Sequence, residues 1–227
     1  PKLAGVLKYY NLKISQPEFR QAIAYAIEEN KNLQERLAMK TAEYLEAAIS
    51  QKRHITIVCG REYILNPGIY DSHVGKLLKD KGVIALPAYA FLSRLDKDFS
   101  YIYWRNPHDL VTKINAITNK KLHTYLYHSR LKELIKTIET GQTDSSISTV
   151  QISTFRCGPD TVITPVLAEI TKKTPSLLIQ SDAMIKELAH LENRVNTYIN
   201  QLDKKLHEEF SAEHFEIKPA LNRANIF

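Results

Sequence analysis

An α/β fold is predicted for this chain, with a mainly parallel sheet of four strands and helices on both of its faces. Short β-branched runs alternate with stretches whose apolar residues recur at helical spacing, and the alternation occurs four times. Strands that alternate with helices pair in parallel through right-handed crossovers. The predicted architecture is therefore doubly wound, of the Rossmann or flavodoxin kind, with a long N-terminal helix and a helical insertion.

Three segments are expected along the chain. Residues 1–53 form an N-terminal helical segment packed on the core, and residues 54–206 form the α/β core domain, with a helical insertion at about 100–140. Residues 207–227 form a C-terminal tail, which we expect to dock to a further domain. Because the sequence starts with Pro1 rather than Met, we expect a piece of a longer protein.

The N-terminal helix is predicted from its cap. Ser15 followed by Glu18 can form a capping box, and Pro17 is tolerated in the first turn. Apolar residues then recur at helical spacing to residue 49, and the polar residues 30–32 suggest a break. Further helices are predicted at 74–81, at 109–138 with an interruption near 118–119, at 165–170 and at 184–206.

The strands are predicted where β-branched and apolar residues run together between loops. They span 54–59, 83–86, 147–154 and 177–179. In a doubly wound sheet, ligands bind beyond the carboxyl ends of the strands, where the strand order reverses. If the order is 2-1-3-4, the loops after the first and third strands meet at that point.

Both of these loops carry residues suited to binding or chemistry. Gly60 would let the backbone approach a ligand closely, and Arg61 could pair bidentately with a phosphate or carboxylate. Cys157 lies beside Arg156 and near the start of the next helix, where a thiolate is stabilised as a nucleophile or metal ligand requires. The alternatives are a simple turn with a solvated arginine and a half-buried thiol without chemistry, and both stay open.

Other polar and aromatic residues near these loops also have structural interpretations. Asp160 is expected to tighten its loop, and Thr164 with Pro165 to cap and open the next helix. Asp182 follows the fourth strand, where a site carboxylate would stand, although a helix cap explains it equally well. The aromatic run at 101–104 is more typical of a core or interface anchor than of a substrate site.

Composition and charge narrow the class of protein. The 227 residues are 44% hydrophobic and 25% charged with a net charge of +6, which is ordinary for a globular protein and favours anionic ligands. Basic residues are not interleaved with aromatic ones and no run approaches the ~20 apolar residues of a membrane span, so we expect no nucleic-acid or membrane partner and a cytoplasmic location. Two reduced cysteines, Cys59 and Cys157, and unclustered histidines do not favour a metal site closed within the chain.

A set of short motifs occurs in an order typical of one known superfamily. In chain order they are Val58-Cys59-Gly60-Arg61-Glu62-Tyr63, Asn66-Pro67, Leu77-Leu78 with Gly82-Val83, Trp104 with Asn106-Pro107, Ser153-Thr154-Phe155-Arg156-Cys157-Gly158-Pro159-Asp160, Gln180-Ser181-Asp182 and Arg194. Together they resemble the 2-hydroxyacyl-CoA dehydratase and benzoyl-CoA reductase superfamily, in particular its large activase-related proteins. The resemblance covers residues 19–199 and is strongest at G-R-x-Y and S-x-F-x-C-G-x-D.

The resemblance implies a specific chemistry for the parent protein. Members of that superfamily are cytoplasmic iron–sulfur proteins of anaerobes, in which a cluster passes single electrons, supplied by an ATP-hydrolysing activator, to a CoA thioester. By resemblance Cys157 ligates the iron–sulfur cluster, and other domains or subunits of the parent supply the remaining ligands. The implied ligand-binding residues are Gly60, Arg61, Tyr63, Arg156, Gly158, Asp160 and Asp182.

Departures from the family pattern support a second hypothesis. Glu62 stands where the family frequently has proline, Ile64 where it frequently has histidine, and Cys59 where it commonly has a small residue. The second hypothesis is a non-catalytic α/β interaction or scaffold domain of the same family that has lost cluster binding. The substrate is not indicated by either.

Overall fold

The sheet consists of four parallel strands in the order β2-β1-β3-β4. The computed structural model describes residue 9 and residues 15–66, 72–154, 157–172, 174–181 and 188–210. The strands are β1 (Ile55–Cys59), β2 (Ile84–Pro87), β3 (Ile147–Thr154) and β4 (Ser176–Ser181). This arrangement confirms the predicted doubly wound α/β class, and it makes the first and third strands neighbours.

Helices fill the connections between the strands and precede the first of them. In the part of the chain that is described they are α1 (Gln16–Ser50), α2 (Glu62–Leu65), α3 (Val74–Asp80), α4 (Arg105–Thr118), α5 (Leu122–Tyr125), α6 (Ser129–Glu139), α7 (Gly158–Ile170) and α8 (Leu188–Phe210), with short 3₁₀ turns at Ala88–Ala90 and Lys97–Phe99. None of the helices in the described ranges is long and apolar enough to cross a membrane.

The capping box predicted for α1 is present. The Ser15 hydroxyl accepts a hydrogen bond from the Glu18 amide, and the Glu18 carboxylate accepts one from the Ser15 amide at 2.8 Å. The helix then runs without interruption through residues 30–32, so the break expected there is wrong. Asparagine and lysine lower helix propensity only slightly, and they do not end a helix without a proline or a glycine.

Each face of the sheet is covered by its own hydrophobic cluster. On one face Ile55, Ile57 and Cys59 of β1 pack with α1, α4, α6 and α7. On the other face Val58 of β1 and Val150 of β3 pack with α3 and α8. All five residues of β1 are buried, because a central parallel strand has helices above and below it.

The start of α7 differs from the prediction. The helix begins at Gly158, with Pro159 in its first turn, and Pro165 lies inside it rather than at its first position. The Thr164 hydroxyl donates to the Asp160 carbonyl one turn earlier at 2.8 Å, so Thr164 is not a cap. Proline is favoured in the first turn of a helix, so Pro159 and Pro165 give the same signal, and the helix begins at the earlier one.

The helices of the insertion also differ from the prediction. The single interrupted helix predicted at 109–138 is three helices, and the first of them, α4, begins four residues earlier, at Arg105. In the last helix, α8, the described residues begin at 188, and the predicted start at 184 lies outside them. Most of the C-terminal tail, residues 211–227, also lies outside the described residues.

Candidate functional site

The candidate site lies at the carboxyl ends of β1 and β3. From β1 the chain passes through α2 and α3 on one face of the sheet to reach β2, and from β3 it passes through α7 on the other face to reach β4. The loops after these two neighbouring strands therefore run to opposite faces of the sheet, and we call the edge of the sheet between them the crevice. This is the position at which open α/β sheets bind ligands.

Arg61, the second residue after β1, bridges the two loops. Its Nε and Nη2 donate to Oδ1 of Asp160 at 3.3 and 3.1 Å, and its Nη2 lies 3.6 Å from Sγ of Cys157. The side chains of Arg61 and Asp160 are only 18% and 5% exposed. The structure thus brings together three of the residues that the sequence singled out on separate loops.

Asp160 favours the charged form of the Arg61 guanidinium. Burial lowers the pKa of the Arg61 guanidinium, but the Asp160 carboxylate more than offsets this, with Cys157 adding to it, so that the pKa is raised above its ordinary value. Removing Asp160 would take away the carboxylate that the largely buried Arg61 pairs with, at a cost of about 3–5 kcal/mol. The ion pair therefore fixes the orientation of the guanidinium at the crevice.

The two glycines of the site have different roles. A Cβ on Gly60 would lie 2.8 Å from the carbonyl oxygen of Ile152 in β3 and 3.1 Å from Cδ2 of Leu65, so glycine is needed there for packing against the neighbouring strand. A Cβ on Gly158 would meet no atom within 4 Å among the described residues. Within the described residues, Gly158 therefore has open space over it, next to Cys157, whereas Gly60 is packed against β3 and α2.

Cys157 is the N-cap residue of α7. Its side chain makes no capping hydrogen bond, and the Thr161 amide donates to its carbonyl at 2.9 Å. The thiol is partly exposed and faces Arg61. Among the described residues no group of three or more His, Cys, Asp or Glu side chains is placed to hold a metal ion, so an iron–sulfur cluster at Cys157 would take its other ligands from elsewhere.

The remaining predicted site residues are less informative. Tyr63 lies on α2 and is 51% exposed. Arg156 and Asp182 lie outside the described residues. The aromatic residues at 101–104 are in the loop before α4, where Tyr103 is 89% exposed and Trp104 packs edge-to-face against it, so they do not belong to the core of the chain.

A buried polar cluster next to the site was not predicted. Lys113 of α4 is 3% exposed and places Nζ 2.5 Å from Oδ2 of Asp109, whose Oδ1 accepts from the Ser93 hydroxyl at 3.2 Å. Burial raises the pKa of the neighbouring Cys59 thiol to about 12, although Lys113 lowers it in part. The i, i+4 spacing of Asp109 and Lys113 was visible in the sequence, but that spacing is typical of exposed helix surfaces.

No family model, curated protein or solved structure matches this chain. The resemblance to the 2-hydroxyacyl-CoA dehydratase and benzoyl-CoA reductase superfamily therefore stays a prediction that rests on the quoted motifs.

Proposed function

We propose that the crevice between β1 and β3 binds an anionic ligand and that Arg61 is the group that recognises it. The observation that carries this proposal is the position of the guanidinium, within 3.6 Å of a partly exposed thiol at the point where the strand order reverses. Asp160 engages Nε and Nη2 of Arg61, while Nη1 makes no hydrogen bond to the described residues. A charged donor held in one orientation loses little side-chain entropy on binding.

The ligand that we propose is a CoA thioester. The motifs around Gly60 and Cys157 resemble those of the acyl-CoA dehydratase and reductase superfamily, and a CoA thioester carries both phosphate groups and a polarised carbonyl. Arginine suits the phosphate groups, because its planar donors match the geometry of phosphate oxygens. The open space over Gly158 supplies room beside the Cys157 thiol.

The iron–sulfur role of Cys157 is the second part of the same proposal. A cluster would supply single-electron chemistry to the thioester, with an ATP-dependent activator as the electron source. Cys157 is the cysteine of this chain that could take part, because its thiol is partly exposed whereas that of Cys59 is buried. Its partners would be donors on other domains or subunits of the parent protein.

A non-catalytic interaction domain is the alternative function, and one observation favours it. Arg61 and Asp160 neutralise each other and are largely buried, as expected of a pair that only holds two loops together. In that case Arg61 would be important for stability and unimportant for any ligand.

Titration calorimetry with CoA, acetyl-CoA and inorganic phosphate tests the first proposal. We expect the wild-type chain to bind CoA and acetyl-CoA, and Arg61→Ala to weaken binding at least tenfold, which is about 1.4 kcal/mol. Arg130→Ala is the matched control. Arg130 also forms an ion pair, but the pair is exposed and joins α6 to Glu46 of α1 instead of the two loops of the site. Equal affinities of the wild-type and Arg61→Ala proteins, or no binding by the wild type, would reject the proposal.

Anaerobic reconstitution with ferrous iron and sulfide tests the role of Cys157. The sample is the longer parent protein, and the readouts are iron content and visible absorption. We expect Cys157→Ser to lose most of the bound iron and Cys59→Ser to retain it. Unchanged iron content in Cys157→Ser would reject the ligand role.

A further inference from the structure

The first half of α1 projects from the rest of the domain. No residue in the range 16–33 of this helix is buried, and burial on α1 begins at Ala38. At 1.5 Å per residue the projecting part is about 27 Å long. Apolar side chains are nevertheless exposed on it, with Ile23 at 42%, Ile27 at 61% and Leu33 at 45%.

A projecting helix lacks the packing that stabilises most helices. Most of the stability of a helix in a protein comes from burial of its apolar face rather than from helix propensity. The projecting part of α1 has such a face, but nothing in the described part of the chain covers it. A partner helix would supply the missing packing.

A heptad runs along this part of α1. Starting at residue 19, steps of four and three residues alternate over Phe19, Ile23, Ala26, Asn30, Leu33 and Leu37, which we call the α1 seam. Ile23 and Leu33 of the seam are exposed, and Phe19 and Leu37 are partly buried. These are the d and a positions of a coiled coil, with Asn30 at an a position. A single asparagine at a is the feature that specifies parallel, in-register dimers, because two such residues hydrogen-bond to each other across the seam.

We propose that the α1 seam pairs with the seam of a second copy of this chain, as a parallel two-stranded coiled coil. Each a and d side chain then packs between residues of the partner helix, and Asn30 meets Asn30 of the second copy. The proposal concerns assembly and is independent of the ligand proposed for the crevice.

The flanking residues favour the parallel orientation. In the parallel arrangement Glu29 at a g position faces Gln34 at the e position of the other chain, and Ala22 faces Ile27, so no like charges meet. In the antiparallel alignment that keeps all six seam residues together, Glu29 of one chain lies against Glu29 of the other. Two like charges at that distance destabilise the pair, and Asn30 would also face Ala26 instead of a second amide.

The α1 seam and the buried stripe of α1 face different directions. The buried residues of α1 from Ala38 to Ala48 form a stripe that faces the sheet. At 100° per residue, the α1 seam is turned from that stripe by roughly 80°. A two-fold axis along the seam therefore places the two α/β domains on opposite sides of the coiled coil.

The expected interface is small. Four large apolar side chains per chain, Phe19, Ile23, Leu33 and Leu37, would each bury at most about 60–120 Å². The total of about 500–1,000 Å² for two chains is below the range of stable complexes and within that of weak, transient ones. We therefore expect a reversible dimer that dissociates on dilution.

Sedimentation velocity over a range of chain concentrations tests the dimer. We expect the 26.0 kDa chain to approach twice that mass at high concentration, and Ile23→Glu or Leu33→Glu to weaken the dimer at least tenfold. Tyr25→Glu is the matched control, because Tyr25 is 68% exposed at a c position outside the seam and should leave the dimer unchanged. A wild-type chain that stays monomeric throughout the concentration range would overturn the proposal.

Disulfide trapping tests the orientation in a Cys157→Ser background, where the remaining Cys59 is fully buried. We expect Asn30→Cys chains to crosslink to one another under mild oxidation. A mixture of Ala26→Cys and Asn30→Cys chains that forms mainly the mixed disulfide would show an antiparallel pair and overturn the parallel one.

Discussion

Replacing Gly60 by alanine is the most direct test of how the crevice is built. The added methyl group would lie 2.8 Å from the Ile152 carbonyl oxygen and 3.1 Å from Cδ2 of Leu65. The leucine side chain can rotate away, but the carbonyl belongs to β3 and cannot move without disturbing the strand that pairs with β1. The backbone of Gly60 is not in the left-handed region, so the whole cost is steric.

The expected cost of Gly60→Ala follows from overpacking. Forcing a methyl group into a filled space costs about 1–3 kcal/mol. For a chain of this size, each kcal/mol lowers the melting temperature by about 2–4 °C, so we expect a decrease of about 2–12 °C. Thermal unfolding followed by circular dichroism measures it.

Gly75→Ala is the matched control for this experiment. Gly75 lies in α3, and a Cβ there would meet no atom within 4 Å among the described residues. The same substitution should therefore stabilise the chain by about 0.5–1 kcal/mol, because alanine is the better helix former. If Gly60→Ala were as stable as the wild type, the loop after β1 would not pack against β3 as described.

Other predictions follow from the buried polar groups. The native chain should have one thiol that reacts quickly with Ellman's reagent at pH 8, that of Cys157. Cys59 is fully buried and burial raises its pKa to about 12, so a second thiol reacting at the same rate would contradict the prediction. Burial also raises the pKa of Tyr198 from 10.0 to about 12, so the unfolded chain releases this proton first. Tyr198 alone should lower the stability by about 1.4 kcal/mol per pH unit between pH 10 and 12, and the buried Cys59 thiol adds to this slope. Tyr198→Phe should therefore reduce the slope in urea titrations, with the exposed Tyr25→Phe as the control. Asp109→Asn should destabilise the chain by about 3–5 kcal/mol, because it removes the carboxylate that pairs with the buried Lys113. Lys113→Met should be less destabilising, and a larger loss of stability for Lys113→Met in chemical denaturation would refute the burial of Lys113.

The fold could be predicted from the sequence because its signals are local. β1 and β3 are β-branched runs that need burial on both faces, and the rule for parallel crossovers then fixes how they connect. The prediction that the two loops meet depended on an assumed strand order of 2-1-3-4. The structure has this order. The ligand approach expected at Gly60 stays a prediction, and its close packing against β3 is a second reason for glycine that the sequence does not show.

The features that were missed depend on long-range packing. Nothing local distinguishes the buried Lys113 from a solvated lysine on an amphipathic helix, since its burial depends on how α4 packs against the sheet. The pairing of Arg61 with Asp160 was missed for the same reason, because the two residues are 99 positions apart and each has an ordinary local explanation. The start of α7 was misplaced because two prolines offered the same signal.

The central claim is that Arg61 recognises an anionic ligand rather than only holding two loops together. The most direct measurement is CoA titration of the exchanged variant Arg61→Asp with Asp160→Arg, alongside its thermal stability. The exchange keeps an ion pair between the two segments but moves the guanidinium from the loop after β1 to the first turn of α7. We predict that stability returns close to that of the wild type while CoA affinity stays at least tenfold weaker; a variant that regains both would show that the pair is only structural and would contradict the claim.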